Sequence, residues 1–114
     1  MVVMDDVPWI YGAAAAATCS ESVAREVTER VVRGAGSGAT RGALRAEAVR
    51  LAVRTAPAAP FVGLDPDDAE ALALVRLTGA GVRDVAAVTG EDQAAVSRRL
   101  TRALRTLARP RLVA

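Results

Sequence analysis

Arginine side chains are concentrated late in the sequence, where they could bind phosphate groups. All 15 basic residues of the chain are Arg, and from position 98 onward there is no acidic residue. The arginines of this stretch are Arg98, Arg99, Arg102, Arg105, Arg109 and Arg111. The net charge is only +2, so the basic character is local, and a basic helix on a near-neutral chain is typical of an element that contacts phosphates. The alternative is a solvated arginine face that binds nothing.

Just before this cluster, three residues have the spacing of a helix-turn-helix. Ala86 lies on a predicted short helix, Gly90 follows it by four residues, and Val96 follows Gly90 by six. Helices that cross steeply need a small residue where they touch, a turn residue that tolerates positive φ, and an apolar anchor on the second helix. These residues meet the three demands in order. A plain helical hairpin with a glycine turn stays the alternative, because Ala and Val are frequent throughout.

The long helix that contains Val96 is predicted to be amphipathic. Its predicted buried stripe consists of Val96, Leu100, Ala103, Leu104 and Leu107. Residues that point away near its start, where a recognition helix meets base edges, are Gln93, Ser97, Arg98 and Thr101. Further along, Arg102, Arg105 and Arg109 could reach phosphates.

The elements that position these residues are predicted to be helices, since no segment alternates with the period of a strand. In the first half, 1–55, Pro8 begins a helix that runs to about Thr18, and Ser20 and Thr40 cap two more. The third helix is predicted to turn inward Leu44, Ala48, Leu51 and Ala52. Its arginines are predicted to face mostly outward, and they are Arg41, Arg45, Arg50 and Arg54.

The Pro/Ala segment 56–63 is predicted to be a linker, because closely spaced prolines exclude helix. Beyond it, 64–109 is predicted to be the DNA-binding helix-turn-helix domain, followed by a tail, 110–114. Asp65 caps its first helix, which buries apolar residues including Leu72 and ends at a glycine. Its three helices cover about 65–79, 82–88 and 92–108. The predicted fold class is all-α, with two small helical halves.

The composition argues against an enzyme. The chain has no His, and Cys19 is its single cysteine, which removes His-based catalysis, zinc sites and internal disulfides. Asp65, Asp67 and Asp68 could suggest a metal cluster, but they lie where a helix start favours negative charge. The glycine-rich stretch 34–38 lacks the strand and the Lys-Ser/Thr pair of a phosphate loop. We therefore expect no catalytic residue, no cofactor and no metal.

The Ala-rich start of the chain does not have the pattern of a signal peptide, since it has no basic n-region and contains two aspartates. No uncharged stretch reaches the length of a membrane span. We expect a cytoplasmic protein without a membrane partner. Trp9 and Tyr11 are expected to pack the first helix into the bundle, and Cys19 to be a small buried residue.

The second half resembles region four of extracytoplasmic-function sigma factors, which binds the −35 promoter element through its second helix. The matching segments run from Leu64 to Gly79, from Val82 to Gly90 and from Ala95 to Ala103. The resemblance implies that the groove-facing residues are Gln93, Ala94, Ser97 and Arg98. It also implies that Arg99 and Arg102 hold the DNA backbone. Glu91 departs from the family, which usually has an apolar residue in this turn, and Asp92 adds a negative charge.

The first half resembles region two of the same family in 9–11 and 20–32. Here Ser22 stands where the family usually has an acid, Arg25 where it has Gln, and Thr28 where it has a bulky aromatic residue. The aromatic and basic residues that melt and bind the −10 element have no clear counterpart.

Two functions remain open on this basis. One is a sigma-factor-like transcription regulator that binds promoter DNA through its helix-turn-helix, with RNA polymerase core as its protein partner. The other is a sigma mimic that binds an anti-sigma factor or another transcription protein. The arginine-rich helix favours the regulator, which we place first, whereas the missing region-two residues and a core of small side chains favour the mimic. The sequence also leaves a homodimer open.

Overall fold

The computed structural model describes residues 6–36 and 38–109, and this part of the chain is helical. Its α-helices are α1 Val7–Ala17, α2 Glu21–Gly34, α3 Arg41–Thr55, α4 Pro66–Thr78, α5 Val82–Thr89 and α6 Gln93–Ala108. A short 3-10 helix, Phe61–Gly63, precedes α4. No strand occurs among the described residues, and the predicted all-α class is confirmed. The predicted tail 110–114, with Arg111, lies outside the described residues.

Four helices begin at side-chain caps, and three of these caps, Ser20, Thr40 and Asp65, were predicted from the sequence. In each, a side-chain oxygen accepts a hydrogen bond from a backbone N–H of the first turn, which would otherwise lack a partner. The pairs are Ser20 with Val23 at 3.3 Å, Thr40 with Ala43 at 3.1 Å, Asp65 with Asp67 at 3.0 Å, and Asp92 with Ala95 at 2.7 Å. These caps fix the starts of α2, α3, α4 and α6.

The first three helices pack closely through small side chains. α1 buries Ile10, Ala13, Ala14 and Ala17. On α3 the predicted inward residues Leu44, Ala48 and Ala52 are buried, and Leu51 is half-buried. Small residues at the contacts let helix axes approach closely, although each of them buries little apolar area.

The prediction that Trp9 packs into this bundle is wrong, because 54% of its surface is exposed. The Arg41 guanidinium lies 5.3 Å from the ring centroid and donates from Nε to Asp6 Oδ1 at 2.7 Å. Trp9 therefore contacts a cation at the surface. Tyr11, by contrast, is partly buried against the core, as predicted.

Segment 56–63 forms no α-helix, and hydrogen bonds attach it to the end of α1. Cys19 N donates to Ala56 O at 3.1 Å, and Ala58 N donates to Ala17 O at 3.0 Å. Phe61, in the 3-10 helix, is 3% exposed and belongs to the core. Cys19 itself is exposed, so the prediction of a buried cysteine is wrong: its backbone joins the two segments while its side chain faces outward.

α4 is the central helix of the fold, and it packs against α3, α6, α1 and α5. Leu72, predicted to be buried, is 3% exposed, and Leu74 is 1% exposed. Buried residues from both sides of segment 56–63 form one apolar cluster. The described helices are all too short or too polar to cross a membrane.

Candidate nucleic-acid interface

The turn between α5 and α6 is formed by Gly90. Its φ is +75°, in the left-handed region that favours glycine, which confirms the positive φ predicted for this position. Ala86 O accepts hydrogen bonds from Gly90 N at 2.9 Å and from Glu91 N at 3.2 Å, which closes the end of α5. Ala86 is 8% exposed and Val96 is 1% exposed, so the small residue and the apolar anchor are both buried where α5 and α6 pack.

The start of α6 presents polar and small side chains to solvent. The residues that the sequence placed toward a groove are all exposed: Gln93, Ala94, Ser97 and Arg98. Thr101 lies one turn further along and is exposed as well. Packing of α6 on the body through Val96 therefore leaves these side chains accessible.

Arg98, Arg105 and Arg109 are exposed and have no ion pair among the described residues. Arg98 and Arg105 line one shallow depression on α6 together with Ser97, Thr101 and Arg102. A guanidinium without an internal partner can bind phosphate without first leaving a carboxylate. These three arginines are therefore available to a ligand.

Arg99 is placed differently. Its side chain is 22% exposed, its Nη1 donates to Glu91 Oε1, and its Nη2 lies 3.6 Å from Asp67 Oδ2. Glu91 belongs to the turn before α6, and Asp67 to the first turn of α4. Arg99 thus joins α6 to the turn and to α4.

Arg102 is also bonded within the chain. Its Nη2 donates to Asp68 Oδ1 at 3.0 Å, and Asp68 is only 5% exposed although Arg102 itself is exposed. The Arg102 side chain is 62% exposed, so solvent screens this pair, but loss of Arg102 would leave the buried carboxylate of Asp68 without a cation. The two arginines that the family resemblance assigned to the DNA backbone are therefore both engaged in holding α6 to α4.

The acidic start of α4 takes part in a larger ion-pair network. Asp65 caps the helix, whereas Asp67 accepts a hydrogen bond from Arg54 on α3 at 2.7 Å. This hydrogen bond is the main reason why the pKa of Asp67 lies below its usual range, and Arg99 and Arg102 lower the pKa further. The same bond raises the pKa of Arg54. The helix-dipole interpretation of these acids thus accounts for only part of their role.

Glu70 on α4 was not predicted as part of any site, yet it is 3% exposed and ion-paired with two arginines of α3. Its Oε1 accepts from Arg50 Nε at 2.9 Å, and its Oε2 accepts from Arg54. The sequence contains a signal for this contact. Arg50 and Arg54 are one helical turn apart, as are Asp67 and Glu70, so each pair forms a charged stripe complementary to the other.

The prediction that Leu104 and Leu107 belong to the buried stripe is wrong, since they are 56% and 39% exposed. Val96 and Ala103 are buried as predicted, and Leu100 is partly buried. All described residues after Ala103 are exposed, so the end of α6 extends beyond the helices that cover its start. Leu107 lines a surface groove together with Val62, which is 65% exposed.

Comparison of the chain with protein-family models, with curated proteins and with solved structures gave no match. The arrangement of α5 and α6, and the charges on α6, are therefore the observations from which a function can be inferred.

Proposed function

We propose that the protein is a sigma-factor-like transcription regulator that binds promoter DNA through α5, the turn at Gly90 and α6. The observation that carries this proposal is the exposed face at the start of α6. Gln93, Ser97 and Arg98 lie there together, on a helix held by a glycine turn and a buried valine. A helix-turn-helix inserts this part of its second helix into the major groove.

The side chains of this face suit base edges and phosphates. The Gln93 amide can both donate to and accept from adenine, and the Ala94 methyl group can contact the methyl group of thymine. Ser97 can donate or accept, and Arg98 can bind guanine or a phosphate. Arg105, two turns further along, is placed for the DNA backbone.

Phosphate binding is assigned to Arg98 and Arg105 because they have no ionic partner among the described residues, whereas Arg99 and Arg102 do. Transfer of Arg99 to a phosphate would leave Glu91 without a cation, and transfer of Arg102 would leave the buried Asp68 unpaired. These losses would offset the gain from the DNA contact.

Selection of duplexes from a random library tests the proposal. We expect the protein to enrich a defined sequence, and Gln93→Ala to change the base preference at one position, worth about 1–3 kcal/mol. Thr55→Ala, an exposed neutral substitution on α3, is the control and should leave the preference unchanged. Failure to enrich any sequence would contradict the proposal.

The exposed apolar residues at the end of α6 favour a second candidate function, a sigma mimic that binds an anti-sigma factor or another transcription protein. Leu104 and Leu107 lie one turn apart on α6, and Leu107 and Val62 line one groove. Clustered apolar side chains at a surface are typical of protein-binding sites.

A pull-down from nuclease-treated host lysate separates the two candidates. Recovery of RNA polymerase core subunits supports the regulator. Recovery of an anti-sigma factor without polymerase supports the mimic, provided that Leu104→Gln combined with Leu107→Gln abolishes it while Arg98→Ala does not.

A further inference from the structure

Asp67, in the first turn of α4, forms ion pairs with arginines from two different helices. Its Oδ1 accepts a hydrogen bond from Arg54 Nη2 of α3 at 2.7 Å, and its Oδ2 lies 3.6 Å from Arg99 Nη2 of α6. α3 and α6 each pack on α4. The carboxylate of Asp67 is thus a point at which the charges of α3 and α6 meet.

The apolar contacts of α6 define its orientation weakly. Only Val96 and Ala103 of this helix are buried, and both are small. Arg99 adds a directional restraint, because its planar guanidinium is shared between Asp67 and Glu91 and its side chain is only 22% exposed. A binding helix must be held to within about 0.5 Å and 10–20° if its side chains are to meet base edges.

We propose that Asp67 is a positioning residue for the DNA-binding helix. By joining Arg54 to Arg99, it fixes the orientation of α6 relative to α3. Residues of α3 therefore contribute to the sequence preference. This inference rests on the proposed function, since the angle of α6 affects base contacts only if α6 enters a groove.

A competing role for the same contact makes a different prediction. If Asp67 withheld Arg99 from DNA phosphates, its removal would tighten binding to every sequence, because a phosphate contact is independent of sequence. Positioning instead predicts that discrimination between sequences is lost.

The experiment measures, by fluorescence anisotropy, the ratio of Kd for a scrambled duplex to Kd for a duplex selected by the wild-type protein. Asp67→Asn and Arg54→Gln are compared with Glu26→Gln and Arg33→Gln, which make the same charge changes on the exposed surface of α2. We expect Asp67→Asn and Arg54→Gln to lower the ratio ~3- to 10-fold and the controls to leave it unchanged. Asp67→Glu keeps a carboxylate and should retain most of the wild-type ratio. Thermal melts identify a temperature at which every variant is folded. If Arg54→Gln does not fold, Arg54→Lys replaces it.

Three other outcomes overturn the inference in distinguishable ways. An unchanged ratio in all variants refutes the positioning role of Asp67 and does not contradict the proposed DNA binding. Tighter binding of both duplexes by Asp67→Asn than by Glu26→Gln identifies Arg99 as a withheld phosphate contact. Absence of binding or of sequence preference in the wild-type protein refutes the proposed function, and the positioning role with it.

Discussion

Substitution of Gly90 by alanine tests the turn on which the placement of α6 depends. Gly90 has φ +75°, and no atom lies within 4 Å of the position that a Cβ would take. The added methyl group therefore meets open space, and the change acts through the backbone alone. A non-glycine residue in the left-handed region costs about 1–2 kcal/mol. Gly90→Ala should lower the free energy of unfolding by that amount.

Gly12→Ala is the matched control. Gly12 is exposed in α1, has no positive φ, and likewise has no atom within 4 Å of the position that an added Cβ would take. Since alanine is a better helix former than glycine, this change should stabilise the protein by about 0.5–1 kcal/mol. The same methyl group thus has opposite effects at the two glycines.

Thermal unfolding followed by circular dichroism measures both effects. Gly90→Ala should lower the Tm by roughly 4–10 °C for a chain of this size, and Gly12→Ala should raise it. Gly90→Asn should lower the Tm by less than Gly90→Ala does, because Asn tolerates the left-handed region. A Tm for Gly90→Ala equal to or above that of the wild-type protein would refute the assignment of a left-handed turn.

Two further predictions follow from burial and from charge. Leu74 is 1% exposed, and Leu74→Ala should lower the free energy of unfolding by about 2–5 kcal/mol. Leu104 is 56% exposed, and Leu104→Ala should change the free energy of unfolding by less than about 0.5 kcal/mol. Similar losses for the two variants in urea titrations would show that Leu104 is buried. Arg54, Arg99 and Arg102 lower the pKa of Asp67 in the folded chain. The ion pairs of Asp67 therefore stabilise the protein fully at pH values above the pKa of an unfolded aspartate, about 3.9. This contribution is lost as the pH falls through the pKa of Asp67 in the folded chain. Asp67→Asn should therefore weaken the acid dependence of unfolding, by a small amount because the side chain is 47% exposed, and an acid dependence equal to that of the wild-type protein would count against the pairing.

The helix starts and the α5–α6 turn could be predicted from the sequence because each depends on a few neighbouring residues. A cap such as Ser20 needs only a backbone N–H three residues ahead. The conformation of Gly90 similarly follows from the end of one helix and the start of the next. Such local signals hold whatever the helices pack against.

Burial at helix ends could not be predicted in this way. Leu104 and Leu107 continue the apolar period of α6, but whether they are covered depends on how far the neighbouring helices extend. Trp9 lies in the first turn of α1, before the buried residues of this helix, which begin at Ile10. Cys19 is exposed, although its backbone N–H donates to segment 56–63.

The partners of the arginines were the other part that the sequence left undetermined. A pattern of charges along one helix cannot show which arginines face an acid on another helix. Arg98 and Arg99 are adjacent in sequence, yet Arg98 is exposed without an ion pair among the described residues and Arg99 lies between two carboxylates. Only the packing of α6 on α4 separates the two roles.

The salt dependence of DNA binding tests the central claim most directly. A fluorescent duplex is titrated over a series of salt concentrations with the wild-type protein, with Arg98→Ala combined with Arg105→Ala, and with a control that combines Arg25→Ala and Arg33→Ala on α2. The slope of log K against log salt is negative, and each lost phosphate contact makes it less steep by about 0.9. The slope for the α6 variant should therefore be less steep by about 2. The control, which has the same net charge, should keep the wild-type slope. Equal slopes for the two double variants, or no binding by the wild-type protein at low salt, would contradict the assignment of α6 as the DNA-binding helix.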